Sequence, residues 1–172
     1  PDMDFPAFTT EQWVGDTTTE AVVTVSIDDL KNDYNRFETV LRPVLNRLKT
    51  LTGGSSPLSI FCIAPDPAAP MLQKWLGEGV TLESHTITHP CPLVGTGGIE
   101  AARTNFLANV ERIGSVPGNR LTCFRMPCCD GENSATPRFY SELFPLRTPL
   151  GRSVVADSSV MQVFSIRDRT QI

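Results

Sequence analysis

The sequence predicts an α/β domain of parallel strands joined by helices. Five short apolar, β-branched stretches alternate with four stretches whose apolar residues recur at helical spacing. This alternation favours helical crossovers, and crossovers make the strands parallel. In addition, carboxylate, imidazole and guanidinium side chains directly follow three of the strands. That is the end at which α/β barrels and open α/β sheets gather their catalytic groups.

The first half of the chain contains three predicted strands and two helices. Residues 21–27 (AVVTVSI) are apolar, β-branched and bounded by acidic residues, which is typical of a buried strand. Residues 35–51 carry apolar side chains at helical spacing, and Pro43 is expected to kink or split this helix. The next predicted elements are a strand at 58–64, a short helix from Pro70 to about Leu76, and a strand at 79–84.

The second half of the chain continues the alternation. Residues 98–114 place Ala102 and Phe106 on one helical face, and Gly114 is a plausible stop. Thr136 is a good N-cap for a helix that Pro137 opens. The predicted elements are therefore a helix at 98–114, a strand at 121–126, a helix from Thr136-Pro137 to about Phe144, and a strand at 153–156.

Composition favours one globular domain. With 172 residues, 40% hydrophobic and 20% charged, the chain is long enough for a real core. We expect an N-terminal extension at 1–20 and the domain at 21–172. The net charge of −4 without a basic run argues against nucleic acid as a partner. No apolar stretch approaches the roughly 20 residues of a membrane helix, and the N-terminus shows no signal peptide.

The cysteines do not form a recognisable metal motif. No C-x-x-C pair occurs, which disfavours a cysteine zinc knuckle, and the odd count of five leaves at least one unpaired thiol in a monomer. Cys62 and Cys123 lie in apolar, strand-like runs and are predicted to be buried. The pattern decides neither the disulfide pairing nor the redox compartment.

Both histidines of the chain lie in one short segment, His85-Thr86-Ile87-Thr88-His89. At a spacing of four on a helical turn, two imidazoles face the same side and can share one metal ion. Two imidazoles and a carboxylate commonly hold zinc with one position open for water. Thr86 stands where a zincin protease needs glutamate, so that class is disfavoured. The alternative is an ordinary pair of surface or core histidines.

Carboxylates and an arginine follow two other strands. Asp28 and Asp29 stand side by side at the end of the first strand, and their repulsion favours a nearby cation, although a helix cap or a solvated turn would explain them too. Arg125 ends the fourth strand, and there it would pair with an acidic group and lower its pKa, unless it makes only a surface ion pair. A Cys128 nucleophile is disfavoured because no third histidine exists to activate it.

Together these segments resemble the polysaccharide deacetylases of the NodB-homology type (carbohydrate esterase family 4), over about residues 21–160. Ser26-Ile27-Asp28-Asp29 resembles the first motif of that family, usually T-F-D-D, and residues 85–89 match the second, H-[ST]-x-x-H. Phe124-Arg125-Met126-Pro127 resembles the third, R-x-P followed by an aromatic residue, which Cys128 replaces here. Asp157-Ser158-Ser159 resembles a D-S-S segment found in some members.

The resemblance implies a role for each of these residues. Asp29, His85 and His89 would bind the metal, usually Zn²⁺, although Co²⁺ or Ni²⁺ suits the same donors. Asp28 would be the general base, Arg125 would orient it, and the backbone N–H of Cys128 would help to stabilise the oxyanion. The substrate would be an N-acetylated carbohydrate, chitin-like or peptidoglycan-type. The resemblance to this family also favours an extracytoplasmic location.

The resemblance also implies a fold: a distorted parallel-strand (β/α) barrel with more strands than the five counted here. The family normally uses a later histidine as general acid, and no histidine follows His89. We therefore expect an incomplete barrel whose C-terminal part is missing. Two other functions stay open: an amide or cyclic-imide hydrolase on the same scaffold, and a carbohydrate-binding module without catalysis. The oligomeric state also stays open.

Overall fold

In the part of the chain that the structure describes, five parallel strands, hydrogen-bonded in chain order, make up one sheet. The computed structural model describes residues 23–129 and 136–159, so the predicted N-terminal extension at 1–20 lies outside the described residues. The strands are β1 (Ser26–Leu30), β2 (Ser59–Cys62), β3 (Thr81–Ser84), β4 (Cys123–Phe124) and β5 (Ala156–Asp157); the helices are α1 (Tyr34–Thr52), α2 (Pro70–Gly77), α3 (Gly98–Gly114) and α4 (Pro137–Glu142).

The strand order β1-β2-β3-β4-β5 never reverses. A doubly wound sheet reverses its order at a switch point, whereas a (β/α) barrel adds each strand beside the previous one. The predicted α/β class with five parallel strands is therefore confirmed, and the order is that of a barrel wall. Closure of the barrel stays a prediction. None of the helices in the described ranges is long and apolar enough to cross a membrane.

Of the two effects expected of Pro43, a split of the first helix is wrong, and a kink stays a prediction. Helix α1 runs through Pro43 as one element. Its neighbours Leu41 and Leu45 are buried in the core on either side of the exposed proline, and this packing holds the helix across the lost hydrogen bond. The helix ends at Gly53, whose φ of 76° is the left-handed cap that glycine adopts at little cost.

Two apolar clusters fill the interior formed by the described residues. The first contains Trp75 and the buried thiol of Cys62, as predicted, whereas Cys123 is only half-buried. The second is aromatic and packs Phe106 against Phe124, with ring centroids 4.9 Å apart in an edge-to-face arrangement. The first cluster lies under β1–β3 and the second under β4, so the core supports every strand that precedes a predicted site residue.

A buried carboxylate holds β4 in place. Strand β4 has only two residues, and Ser84 pairs with Phe124 in its ladder to β3. Glu83 adds to this ladder because it accepts hydrogen bonds from the backbone N–H groups of Thr122 (3.0 Å) and Cys123 (2.6 Å). Burial raises the pKa of Glu83, and these hydrogen bonds oppose the rise. The short strand is thereby fixed directly before Arg125.

Candidate active site

The two aspartates of β1 lie on a bulge rather than beyond the strand. Ile27 pairs with Ile60, and the next pair along the two strands is Leu30 with Cys62, so the register shifts across Asp28 and Asp29. Asp29 has a φ of 68°, in the left-handed region. In a regular strand, neighbouring side chains point to opposite faces, whereas a bulge redirects one of them. This irregularity allows both carboxylates to reach the same side of the sheet.

The segment with the two histidines is a bent loop, so the predicted helical turn is wrong. Residues 85–90 follow β3 without helical structure, and Thr86 and His89 have φ angles of 67° and 56°. The His89 N–H donates to the Thr86 hydroxyl at 3.1 Å, which closes the bend. The imidazole centroids of His85 and His89 are 4.8 Å apart, so the loop brings the rings together as a helical turn would.

Asp29 and the two imidazoles converge on one point. Oδ1 of Asp29 lies 3.6 Å from Nε2 of His85 and 3.3 Å from Nε2 of His89. One donor atom from each of the three residues lies within 4.8 Å of the others. Tetrahedral ligands about 2.0–2.1 Å from a zinc ion lie about 3.3–3.4 Å from one another, so the separations to Asp29 fit one such ion.

The orientation of His85 fits a metal ligand. Its Nδ1 lies 2.8 Å from the carbonyl oxygen of Arg125, which can only accept a hydrogen bond, so Nδ1 carries the proton and Nε2 presents its lone pair to Asp29. Burial lowers the pKa of His85 and outweighs the Arg125 carbonyl and the nearby carboxylates, which raise it. The ring is therefore held neutral, as metal coordination requires.

Asn105 of α3 anchors the histidine loop, and the sequence analysis missed it. Its Oδ1 accepts from the N–H groups of Ile87 (2.9 Å) and Thr88 (3.3 Å), and its Nδ2 donates to the Thr88 hydroxyl at 2.5 Å. The loop is thus fixed between the two imidazoles by one side chain of a packed helix. Nothing in the sequence signals this contact, because it joins residues 17–18 positions apart.

Asn105→Ala is expected to weaken metal binding about 10–100-fold, as the loss of an outer-shell partner typically does. The three hydrogen bonds hold the loop that carries His89, so their loss frees that ligand. Titration calorimetry with Co²⁺ measures the change. Thr104→Ala is the matched control, because Thr104 is exposed on the same helix and its hydroxyl donates to the Glu100 carbonyl of that helix. Equal affinity in the two variants would contradict this role of Asn105.

Among the described residues, four partners hold Arg125 in one position. Its Nη1 donates to Oδ1 of Asp28 at 2.6 Å, its Nε to the Ser158 hydroxyl at 3.0 Å, and its Nη2 to the Ser26 hydroxyl at 3.1 Å. The guanidinium carbon also lies 4.0 Å from the ring centre of Phe61. Asp28 and Asp29 therefore differ in their surroundings: a guanidinium contacts the first, and two imidazoles face the second.

The D-S-S segment completes the setting of Arg125. Ser159 donates its hydroxyl to Asp157 and accepts the N–H of Met126 at 2.7 Å. The Tyr140 hydroxyl donates to the same aspartate at 2.6 Å. Together with Ser158, these contacts tie the segment that follows β4 to the segment that follows β5, so Arg125 is supported from both sides.

Cys128 is part of a disulfide with Cys91, a pairing that the sequence analysis left open. Cys91 follows His89 by two residues and Cys128 follows Arg125 by three, so the bond joins the two loops that carry site residues. Cys128 also has a φ of 60° within a short 3-10 turn, Pro127–Cys129. The structure therefore gives Cys128 a covalent role that the sequence analysis did not assign.

Solved structures share this architecture, although sequence comparisons found nothing. Neither a scan against models of protein families nor a search of curated proteins gave a match. Peptidoglycan deacetylase PdaC from Bacillus subtilis superposes with a TM-score of 0.53 at 20% identity, over 78% of this chain and 57% of that chain, and a mutant of it gives the same values. A peptidoglycan N-acetylglucosamine deacetylase catalytic domain from Eubacterium rectale gives a TM-score of 0.48 at 17% identity, over 84% of this chain and 64% of that one.

This chain thus spans little more than half of the PdaC chain that it matches. At this level of identity the likeness concerns the fold alone. The resemblance to NodB-type polysaccharide deacetylases that the motifs indicate is confirmed at that level: the chain has the fold of a peptidoglycan deacetylase.

Proposed function

We propose that this chain is part of a metal-dependent hydrolase that removes N-acetyl groups from a chitin-like or peptidoglycan-type polysaccharide, with its domain at 21–172. One observation carries the proposal: the donors of Asp29, His85 and His89 converge beside the Asp28–Arg125 pair. A binding module has no need of such an arrangement, whereas metal-assisted hydrolysis uses a Lewis acid and a base side by side. The shared fold with PdaC supports the same activity.

Zn²⁺ is the cation we propose, and Asp29, His85 and His89 would hold it. One carboxylate and two imidazoles leave an open position in a tetrahedral site, and Co²⁺ or Ni²⁺ suits the same donors. When bound, such a cation acidifies a coordinated water molecule and polarises an acyl carbonyl. The buried, neutral ring of His85 fits this task because it needs no deprotonation before it binds.

The remaining groups of the site would move protons and stabilise charge. Asp28 would accept the proton of the attacking water, and Arg125, 2.6 Å away, would hold its carboxylate in position. The backbone N–H of Cys128 would donate to the oxyanion. The left-handed turn at this residue and its bond to Cys91 would hold that N–H in position.

No residue of this chain is assigned to protonate the leaving amine. The 172-residue chain contains no histidine after His89, so the imidazole acid that the resemblance implies is not among its residues. General acid catalysis is typically worth about 10²–10⁴-fold, and we expect turnover by this chain to be slower by such a factor than with a histidine in that place.

An extracytoplasmic location is also proposed, because disulfides form and persist in oxidising compartments. The bond between Cys91 and Cys128 supports it, since both residues are exposed to the surrounding redox conditions.

The test is acetate release from N-acetylglucosamine oligomers and peptidoglycan fragments by the Zn²⁺-loaded chain, with a panel of ureides in parallel. We expect slow release from the carbohydrates that stops when a chelator removes the metal and resumes when Zn²⁺ returns. Turnover of ureides alone would replace the proposal with a cyclic-imide hydrolase. Tight carbohydrate binding without metal and without acetate release would identify a binding module instead.

A further inference from the structure

We propose that Cys91 and Cys128, when their disulfide is reduced, bind a thiophilic cation together with His89. The proposal rests on the arrangement of these three side chains and does not depend on deacetylation. Their ligand atoms lie within 4.8 Å of one another, and Nδ1 of His89 lies 3.9 Å from Sγ of Cys91. Two thiolates and one imidazole are a common donor set for zinc, with a fourth position open.

The geometry suits such a site once the sulfurs separate. With Zn–S bonds of about 2.3 Å, two thiolates of a tetrahedral site lie about 3.8 Å apart. The Cα atoms of Cys91 and Cys128 are 6.1 Å apart, and their side chains already face each other. A thiolate and an imidazole of such a site lie about 3.5 Å apart, close to the observed separation of Cys91 and His89.

His89 presents one nitrogen to each site. Its Nε2 lies 3.3 Å from Oδ1 of Asp29, and its Nδ1 faces Cys91. A neutral imidazole carries a proton on one nitrogen and a lone pair on the other, so it binds one cation at a time. When Nδ1 binds at the cysteine pair, Nε2 carries the proton and donates to Asp29. The two sites are therefore mutually exclusive, and the disulfide reserves His89 for the Asp29–His85 site.

The chemical step is a disulfide reduction. A dithiol supplies two electrons and two protons and becomes a disulfide; a phosphine supplies two electrons and takes the oxygen of a water molecule to become a phosphine oxide, and that water supplies the two protons. In either case the bond between Cys91 and Cys128 breaks, and each sulfur takes up one proton. Each thiol releases that proton when it binds the cation. Both cysteines are exposed, so a small reductant can reach the bond.

Other thiols provide the control. Cys62 is buried, and burial raises the pKa of its thiol, which keeps it from metal. Cys129 is the neighbour of Cys128 in the sequence, so Cys129→Ser is the matched variant for Cys128→Ser.

The experiment is a Co²⁺ titration followed by absorption, on the oxidised chain and on the chain reduced with a phosphine and then freed of it without oxygen. We expect one Co²⁺ per chain in both states. Only the reduced chain should show a thiolate-to-cobalt charge-transfer band. Cys91→Ser and Cys128→Ser should lose this band, whereas Cys129→Ser and the double variant Asp29→Ala/His85→Ala should keep it.

Three outcomes would overturn the proposal. The first is a reduced chain without the band, and the second is a band that persists in Cys128→Ser but vanishes in Cys129→Ser. The third is two Co²⁺ per reduced chain, which would show that the sites do not share His89. A chain that shows the expected spectra but releases no acetate from carbohydrates would remove the proposed deacetylase activity and leave this site intact.

Discussion

Asp28→Asn is expected to lower kcat/KM for acetate release by about 10²–10⁴-fold while the metal content stays unchanged. Asparagine has the same shape and can still accept the hydrogen bond that Arg125 donates at 2.6 Å, but it cannot take a proton from water. Metal binding should persist because the ligand carboxylate belongs to Asp29, which faces the imidazoles. The measurements are acetate release under kcat/KM conditions and elemental analysis of the same sample.

The matched control is Asp33→Asn, which makes the same chemical change at an exposed position five residues further along the chain. The carboxylate of Asp33 makes no capping hydrogen bond to helix α1, so its loss should leave turnover unchanged. An Asp28→Asn enzyme that keeps nearly full turnover would exclude Asp28 as the base. Loss of metal in this variant would instead mean that the two aspartates have exchanged the roles proposed for them.

His85→Ala is expected to abolish the thermal stabilisation that Zn²⁺ gives to the chain. A cation that binds only the folded state, at about 100 times its Kd, adds about 2.7 kcal/mol to the free energy of unfolding. For a domain of this size that corresponds to a rise in Tm of about 5–11 °C. Removal of His85 takes away a preoriented ligand, so the rise should vanish. Calorimetric scans with and without Zn²⁺ measure it.

His85 is 2% exposed, so its truncation also leaves a cavity that lowers the Tm without any metal. Each variant is therefore compared with itself, with and without Zn²⁺. Only the difference between the scans with and without metal is compared. Asp33→Ala, which removes an exposed carboxylate that is not one of the proposed ligands, should keep the full rise. A rise in His85→Ala equal to that of the unmodified chain would place the bound ion elsewhere.

Local sequence signals predict the helices well. Helix α3 has the predicted bounds, 98 to 114, and the Thr136 hydroxyl accepts the N–H of Phe139 as the predicted N-cap. Helical periodicity and capping depend on residues three or four positions apart, so one sequence is enough to reveal them. The short strands are less predictable: 121–126 reduces to Cys123–Phe124, because pairing with another strand sets their length.

The residue types of the site could be predicted from the sequence, but the backbone conformations that position these residues could not. Among the described residues five non-glycine positions have positive φ, and four of them, Asp29, Thr86, His89 and Cys128, belong to the site. Sequence rules place glycine or asparagine in such conformations. Here these conformations are held by the β1 bulge, the histidine loop and the disulfide, all of which involve residues distant in the sequence. Backbone strain of this kind concentrates at functional sites. The pairing of Cys91 with Cys128 is equally nonlocal.

The place of β1 in the sheet bears on how long an ion would stay bound. In the described sheet β1 is an edge strand, whereas the histidines follow β3 at its centre. Edge segments open locally more often than central ones. A cation held by Asp29 and the imidazoles would connect β1 to the loop after β3, across β2. Strand β1 could then not separate from β2 without releasing the cation. The rate at which the metal dissociates would then be set by the rate at which β1 opens. The time for which the site keeps its metal would depend on the stability of the pairing between β1 and β2.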